Sequence, residues 1–257
     1  MSMVVMVFDG SWDGLLSAVF DAYNQKIEPE YLLRDTSALP MFYDSIHRVE
    51  TDTEKSSRVW TGLKKRLTKL ALNALVISFM SELLEMDLPT FRYVCSIFRS
   101  APGKERDFGD ENVLAVFQTA KKVRGEAHRM LQFVRFQKAS DGTYFAMMEP
   151  IYDVLPLSIS HFRDRFADQK FIIYDRSRDY GYYFDGASAT VIHMPDSLYH
   201  VRTGRLDDSV MDADERLFQR LWRTYFQAIA IKERINPRKQ RQDMPVRYWK
   251  YLTETNG

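Results

Sequence analysis

Cations and aromatic side chains alternate near the carboxyl end of the chain. Arginine and lysine pair with phosphates, and aromatic rings offer faces on which bases stack, each stacked base contributing about 1–3 kcal/mol. The pattern therefore indicates a nucleic-acid-binding surface. The residues expected to form it are Arg234, Arg238, Lys239, Arg241, Arg247, Tyr248, Trp249 and Lys250. In the alternative interpretation, Tyr248, Trp249 and Leu252 dock this segment on the core, and the cations form a solvated face.

The two ends of the chain carry opposite charge, although the formal net charge is only +1. Residues 1–55 include ten acidic and four basic side chains, whereas residues 216–250 include ten basic and two acidic ones. Such a separation of sign predicts a basic patch on the folded surface. The alternative is that the two ends neutralise one another in the fold.

A second group of charged residues lies in the second half of the chain. On a helix, His161 and Arg165 are four residues apart and share one face. Arg176 and Arg178 close a predicted strand nearby. Together these four side chains predict an anion or phosphate site. The alternative is an internal network, including Asp175, in which carboxylates and arginines hold the sheet to the helix.

Asp9 lies where a predicted strand meets the start of a helix, a common place for a ligand-binding acid or a phosphate. A simpler interpretation is that Asp9 or Ser11 accepts hydrogen bonds from the free backbone amides of that helix start. If the protein is an enzyme, Asp9, His161, Asp175 and Arg176 are the catalytic candidates and should converge in one cleft.

Motifs that mark cofactor and nucleotide chemistry are missing from the sequence. It contains no G-x-x-x-x-G-K-[ST] phosphate loop, no G-x-G-x-x-G, no G-x-S-x-G and no H-E-x-x-H. The five histidines show no metal-ligand spacing, and a single cysteine excludes an internal disulfide and a cysteine-rich zinc or iron–sulfur site. We therefore expect no cofactor and no metal, and we interpret Cys95 as a buried structural thiol.

Hydropathy and cysteine usage together predict a compartment. No stretch approaches the roughly 18 to 20 consecutive apolar residues that a membrane helix needs, and the chain begins without a basic leader. The single cysteine is typical of a reducing environment. We expect a cytoplasmic protein that has no membrane partner.

Hydrophobic periodicity predicts that an α+β fold positions these residues. In the first half, an apolar strand, a helix capped by Ser11 and two short extended segments form an N-terminal β-α-β unit, and a helical middle follows. The predicted strands span residues 3–8, 31–35 and 46–51, and the predicted helices of the middle span residues 53–67, 69–85, about 89–98 and 110–124.

The second half of the chain predicts an antiparallel β-meander and a long C-terminal helix with a basic tail. Asp141-Gly142 is a strong hairpin signal, and the last helix runs from Asp212 until Asn236-Pro237 stops it. The remaining strands are predicted over residues 133–138, 144–149, 171–174, 180–184 and 190–193, with a helix over residues 158–167. No Gly/Ser linker divides the chain, so we predict one composite domain over residues 1–257, α-rich to about residue 130 and β-rich beyond it.

Three stretches of the sequence resemble the bacterial family known as "probable DNA metabolism protein". Its opening is similar to FDGSWDGLL at residues 8–16 with VFDAY at 19–23. Its centre is similar to HFRDRF at 161–166 with IYD at 173–175, and its end to IKERINPRKQRQDMP at 231–245 with RYWK at 247–250. These matches span nearly the whole chain and are specific when taken together.

The resemblance implies a role in DNA repair or modification. The family carries a domain of unknown function that is typically encoded beside a radical SAM protein of DNA modification or repair, and some relatives are fused to a uracil-DNA-glycosylase-like domain. It supplies no established catalytic residues. Because this chain has one cysteine, the resemblance implies that any radical SAM chemistry belongs to the partner.

These observations lead to three hypotheses about function. The first is an accessory protein that binds single-stranded DNA or damaged duplex and presents it to a radical SAM partner enzyme. The second is an enzyme, either a hydrolase or a nucleotide- or DNA-processing one. The third is a protein-binding scaffold for the radical SAM partner. The sequence leaves open whether the protein is catalytic.

Overall fold

The computed structural model describes residues 3–99, 103–200, 203–230 and 236–255, without the side chains of residues 104 and 196. Two compact units, Met1–Arg124 and Gly125–Gly257, are called unit 1 and unit 2 below. Both contain helices and strands, in agreement with the predicted α+β class. That the two halves form one composite domain stays a prediction.

Unit 1 contains a three-stranded parallel sheet. The apolar strand β1 (Val4–Phe8) lies between β2 (Tyr31–Arg34) and β3 (Ser45–Arg48). Helix α1 (Trp12–Gln25) follows β1, and the Ser11 hydroxyl accepts a hydrogen bond from the Gly14 amide at its start. The predicted β-α-β unit and its helix cap are therefore confirmed.

Three helices continue unit 1: α2 (Thr53–Arg66), α3 (Lys69–Phe79) and α4 (Asp87–Arg99). The prediction of one helix over residues 69–85 is wrong at its carboxyl end. The chain leaves the helix after Phe79, and Glu82 adopts a left-handed backbone with φ of 57°. Pro89 lies in the first turn of α4, where its missing amide costs no hydrogen bond.

Helix α5 (Glu111–Phe133) begins in unit 1 and ends in unit 2. Asp110 caps it as predicted, because its carboxylate accepts hydrogen bonds from the amides of Asn112 and Val113. The predicted end near Arg124 is too early. Gly125 is tolerated within the helix, and the apolar periodicity continues, with Met130 fully buried.

Unit 2 contains a five-stranded sheet in the order β4-β5-β6-β7-β8. The strands are β4 (Gln137–Lys138), β5 (Tyr144–Met148), β6 (Phe171–Asp175), β7 (Tyr180–Phe184) and β8 (Ala189–Ile192). Strands β6 to β8 form the predicted antiparallel meander. Strands β5 and β6, whose pairing was not predicted, run parallel, since helix α6 (Leu155–Arg165) connects them as a crossover.

The C-terminal part of unit 2 differs most from the prediction. A small antiparallel pair, β9 (Tyr199–His200) and β10 (Arg205–Leu206), precedes helix α7 (Glu215–Ile229). Asn236-Pro237 does not end a long helix but begins a separate one, α8 (Pro237–Asp243), because the Asn236 side chain accepts a hydrogen bond from the Lys239 amide. A 3-10 segment, Val246–Tyr251, follows.

No helix within the described ranges is long and apolar enough to cross a membrane.

Candidate nucleic-acid interface

The predicted basic tail divides into an exposed part and a docked part. In the exposed part, α8 presents Arg238, Lys239 and Arg241 to solvent. The Lys239 ammonium lies 3.0 Å from an Asp243 carboxylate oxygen, so part of this charge is compensated. Arg234, another predicted phosphate ligand, lies outside the described residues.

The docked part is held by Glu126, whose side chain is 1% exposed. Its carboxylate accepts hydrogen bonds from the Tyr248 hydroxyl and the Arg247 guanidinium, and from the Ile151 amide at 3.0 Å. Of the two rings expected to stack on bases, Tyr248 and Trp249, the side chain of Tyr248 is completely buried and presents no face to solvent. Tyr248 docks as the alternative interpretation expected, whereas Arg247, which that interpretation placed on a solvated face, pairs with a buried acid.

Trp249 and Lys250 also belong to the docked part. The indole of Trp249 is partly buried, and its N–H donates to the Met244 carbonyl at 3.0 Å. The Lys250 ammonium pairs with Glu149, which accepts a second hydrogen bond from Arg176 at 3.0 Å. Trp249 is thus anchored by its polar edge, whereas Lys250 keeps part of its side chain in contact with solvent.

The catalytic candidates are bound to separate partners. In unit 1, Asp9 accepts hydrogen bonds from Ser11 and, at 2.8 Å, from the Thr51 hydroxyl, which is the simpler structural role considered above. In unit 2, Asp175 is fully buried and pairs with Arg178 at 2.8 Å. Arg176 pairs with a different carboxylate, that of Glu149.

The four residues of the predicted anion site also differ in their surroundings. His161 and Arg165 lie on the exposed face of α6, where the Arg165 guanidinium is 5.8 Å from the Phe166 ring centre. Arg178 donates to Asp175 and to the carbonyls of Pro150 and Ile151. The arginines that close β6 are therefore engaged in the internal network that was the alternative to an anion site.

Asp175 should make the stability of unit 2 depend on pH. Burial raises the pKa of Asp175 to about 6, although Arg178 and the Ser177 amide oppose the shift. Because the folded state holds this proton more tightly, the contribution of Asp175 to stability is complete below its ordinary pKa of 3.8 and is lost as pH rises through about 6.

Urea unfolding of the wild type and Asp175→Asn at several pH values tests this expectation. The stability of the wild type relative to the variant should fall by about 2 kcal/mol between pH ~4 and ~7. The substitution also removes the ion pair with Arg178, and this changes the free energy of unfolding of the variant by the same amount at each pH. A difference that does not change with pH would contradict the shift.

Two hydrogen-bonded contacts that involve a buried carboxylate join helix α7 to the rest of unit 2. At its start, the buried Glu215 carboxylate accepts a hydrogen bond from the Lys138 amide of β4 at 3.0 Å and one from Gln219 at 2.9 Å. Two turns further, the Trp222 indole donates to Glu254 at 3.0 Å. These contacts fix both the position and the rotation of the helix.

The rotation of α7 leaves two of its sides exposed. With 3.6 residues per turn, Glu215, Gln219 and Trp222 form the stripe that faces unit 2. The arginines at positions 216, 220 and 223 lie to one side of that stripe, and most of the apolar residues lie to the other. An amphipathic helix normally turns its apolar face to the core, whereas α7 rests on the boundary between its faces.

On the cationic side of α7 is a cavity of about 760 Å³, called the basic pocket below. Of the described residues that line it, five are lysine or arginine and none is aspartate or glutamate. Its cationic residues are Arg205, Arg216, Arg220, Arg223 and Lys250, with His200 beside them. Asp208 pairs with both Arg205 and Arg216, and Glu149 pairs with Lys250, so two carboxylates compensate part of the positive charge.

On the apolar side of α7 is a cavity of about 660 Å³, called the aromatic groove below. Four aromatic side chains line it, together with Leu221 and Arg135. The four are Phe136, Phe218, Trp222 and Tyr225, and the rings of Trp222 and Tyr225 lie 5.8 Å apart. The groove therefore offers aromatic faces to a ligand.

Of the cations that line the basic pocket, the sequence pattern selected Lys250 but not Arg205, Arg216, Arg220 or Arg223. The spacing of Arg216, Arg220 and Arg223 on a predicted helix was a usable signal, since residues four and three apart share a face. The orientation of α7 depends on Glu215 and Trp222 finding buried partners distant in sequence, which periodicity does not reveal.

A family model described as "Domain of unknown function (DUF4130)" matches residues 85–254, which is more than half of the chain. All residues that line the basic pocket and the aromatic groove lie within the matched range. A comparison with curated proteins gives no match.

Proposed function

The chain belongs to the family described as Domain of unknown function (DUF4130), and we propose that it binds nucleic acid through the basic pocket beside α7. The proposed role is that of an accessory protein in DNA repair or modification, which presents DNA to a radical SAM partner enzyme. The basic pocket is the observation that carries the binding activity. The resemblance described under Sequence analysis suggests the pathway and the partner.

The shape of the cationic surface favours a chain of phosphates over a single phosphate. Arg216 and Arg223 are seven residues apart on α7, which corresponds to about 10 Å along a helix axis. Arg220 lies between them, and Arg205 and Lys250 contribute from other elements. Arginine forms bidentate hydrogen bonds with phosphate oxygens, so this arrangement suits successive phosphates of a strand.

Helix α8 is proposed to extend this contact. Arg238 and Arg241 are exposed, and the ion pair described within α8 joins Lys239 to Asp243 and does not involve them. Arg234 precedes them in the sequence and completes the predicted set. These residues would add phosphate contacts that strengthen binding without selecting a sequence.

The other two hypotheses receive less support. The enzyme hypothesis required its candidates to meet in one cleft, but Asp175 and Arg176 pair with different partners. The Asp9 carboxylate accepts hydrogen bonds from Ser11 and Thr51. The scaffold hypothesis gives no reason for five cations around one cavity. Neither has an observation in its favour comparable to the basic pocket.

Binding of a fluorescein-labelled oligothymidylate to the full chain tests the proposal. Each phosphate neutralised on a single strand contributes about −0.7 to the slope of log K against log salt. With four or five contacts, we expect a slope of about −3 between about 50 and 200 mM salt. Absence of saturable binding at the lowest salt, or a slope near zero, would overturn the proposal.

A further inference from the structure

We propose that the aromatic groove of α7 stacks unpaired nucleobases, so that the protein selects single-stranded over double-stranded nucleic acid. This inference rests on the proposed function, because the strand is first held by its phosphates in the basic pocket. The groove would then supply the selectivity that phosphate contacts alone lack.

The aromatic side chains of α7 are exposed to a degree that core packing does not explain. Phe218 is 60% exposed, Tyr225 55% and Trp222 40%. Burial of such side chains would be favourable, and contiguous exposed apolar patches mark binding sites. The exposed rings are therefore available to a ligand that brings flat apolar faces of its own.

The composition of the groove suits bases in particular. Base–aromatic stacking tolerates any base, since each one has a π-face. Trp222, Tyr225 and Phe218 come from one face of α7, and Phe136 completes the groove while packing 5.0 Å from the Phe166 ring. Four rings in one cavity therefore provide several stacking positions without sequence preference.

The two cavities are adjacent on α7. Gln219 and Thr253 line both of them, so the basic pocket and the aromatic groove meet at the stripe where the helix rests on unit 2. A strand that crosses α7 can keep phosphates in the pocket while bases of neighbouring nucleotides enter the groove. In a duplex the bases are paired and stacked inside the helix, and they cannot reach these rings.

Trp222 is held in place before any ligand arrives. Its indole N–H donates to Glu254, whose side chain is 3% exposed and also pairs with Arg135 at 2.6 Å. Burial raises the pKa of Glu254, but Arg135 and Trp222 outweigh that effect and hold the pKa below its ordinary value. A ring that is already ordered loses less conformational entropy on stacking, which favours binding.

Charge complementarity favours a polyanion over the other occupants of an apolar groove. A segment of a partner protein or a second copy of this chain could also cover the rings. The cavity next to the groove, however, is lined by five cations and no carboxylate among its described residues. A polyanion that carries flat apolar groups satisfies both cavities at once, and single-stranded nucleic acid has this chemistry.

The test compares the full-length wild type with the double variant Phe218→Ala and Tyr225→Ala. Both side chains are largely exposed, so the variant should fold. Three probes are used: an oligothymidylate, the corresponding abasic strand and a duplex. The affinity of the wild type for the oligothymidylate should be at least on the order of tenfold higher than its affinity for the abasic strand. The variant should lose on the order of tenfold in affinity for the oligothymidylate, with its affinity for the other two probes unchanged.

Leu217→Ala with Ile229→Ala is the matched control. These residues are exposed and apolar on the same helix but do not line the groove, so affinity for all three probes should be unchanged. Sedimentation of both proteins at several concentrations shows whether the groove joins two copies.

The outcomes separate the two proposals. If the wild type binds none of the probes, the proposed function fails, and this inference fails with it. If the wild type binds with salt dependence but the groove variant loses no preference for bases, only the stacking inference is overturned. A dimer that the groove variant abolishes while base preference stays intact would overturn it in favour of a second copy.

Discussion

Replacing Arg216, Arg220 and Arg223 together with glutamine is expected to weaken oligonucleotide binding on the order of 100-fold at about 50 mM salt. These residues form the cationic side of α7 and lie within the basic pocket. Losing three phosphate contacts on a single strand should also reduce the slope of log K against log salt by about 2. Fluorescence anisotropy at several salt concentrations measures both quantities.

A matched control exists on α2. Arg58, Lys64 and Lys65 are exposed cations on a helix of unit 1, and their replacement by glutamine changes the net charge by the same amount. We expect this control to alter affinity only slightly, through the general reduction of positive charge. Equal losses in the two triple variants would show that binding reflects net charge and not the basic pocket.

Replacing Glu126 with glutamine is expected to destabilise unit 2 by about 2–4 kcal/mol. The carboxylate is nearly inaccessible to solvent and accepts hydrogen bonds from Tyr248, Arg247 and the Ile151 amide. An amide can accept only some of these bonds, and it leaves the guanidinium without a counter-charge. Partial exposure of Arg247 keeps the loss below the largest values measured for buried pairs.

The loss of stability in this variant should depend on pH. Burial raises the pKa of Glu126, but the Tyr248 hydroxyl, the Ile151 amide and Arg247 outweigh it and hold the pKa below its ordinary value of 4.5. The stabilisation is therefore present above about 4.5 and is lost as pH falls through the folded-state pKa. The gap between wild type and variant in urea unfolding should shrink on acidification.

Glu111→Gln serves as the control for this prediction. Glu111 is an exposed acid in the first turn of the same helix, α5, and its loss should cost less than about 1 kcal/mol. An equally small loss of unfolding free energy in Glu126→Gln would contradict the prediction. It would show that the docked C-terminal segment does not depend on the buried carboxylate for its position.

Local rules predicted much of the fold. The apolar strand at residues 4–8, the cap at Ser11 and the cap at Asp110 follow from short-range sequence patterns, and all three are present. The errors concern where helices begin and end. The helix predicted to reach residue 85 ends at Phe79, and Asn236-Pro237, predicted to stop a helix, begins one because the Asn236 side chain accepts a hydrogen bond from the Lys239 amide.

The candidate site was less predictable, because the pairing of cations with buried acids determines which cations remain exposed. Composition correctly indicated an excess of cations near the C-terminus, but it did not show which of them have buried partners. Glu126 and Glu149, more than 100 residues away in sequence, engage Arg247 and Lys250. The candidate interface therefore lies on α7 and not on the segment around Tyr248. The exposed sides of α7 depend on its contacts with Lys138 and Glu254.

Photocrosslinking of a halogenated single-stranded oligonucleotide to the full chain, followed by mass-spectrometric mapping, tests most directly whether α7 contacts nucleic acid. We predict that the crosslinked peptides contain Trp222 or Tyr225, and that excess unlabelled oligothymidylate suppresses them. Crosslinks confined to unit 1, or to the docked segment at residues 246–251, would contradict the assignment of α7 as the binding element.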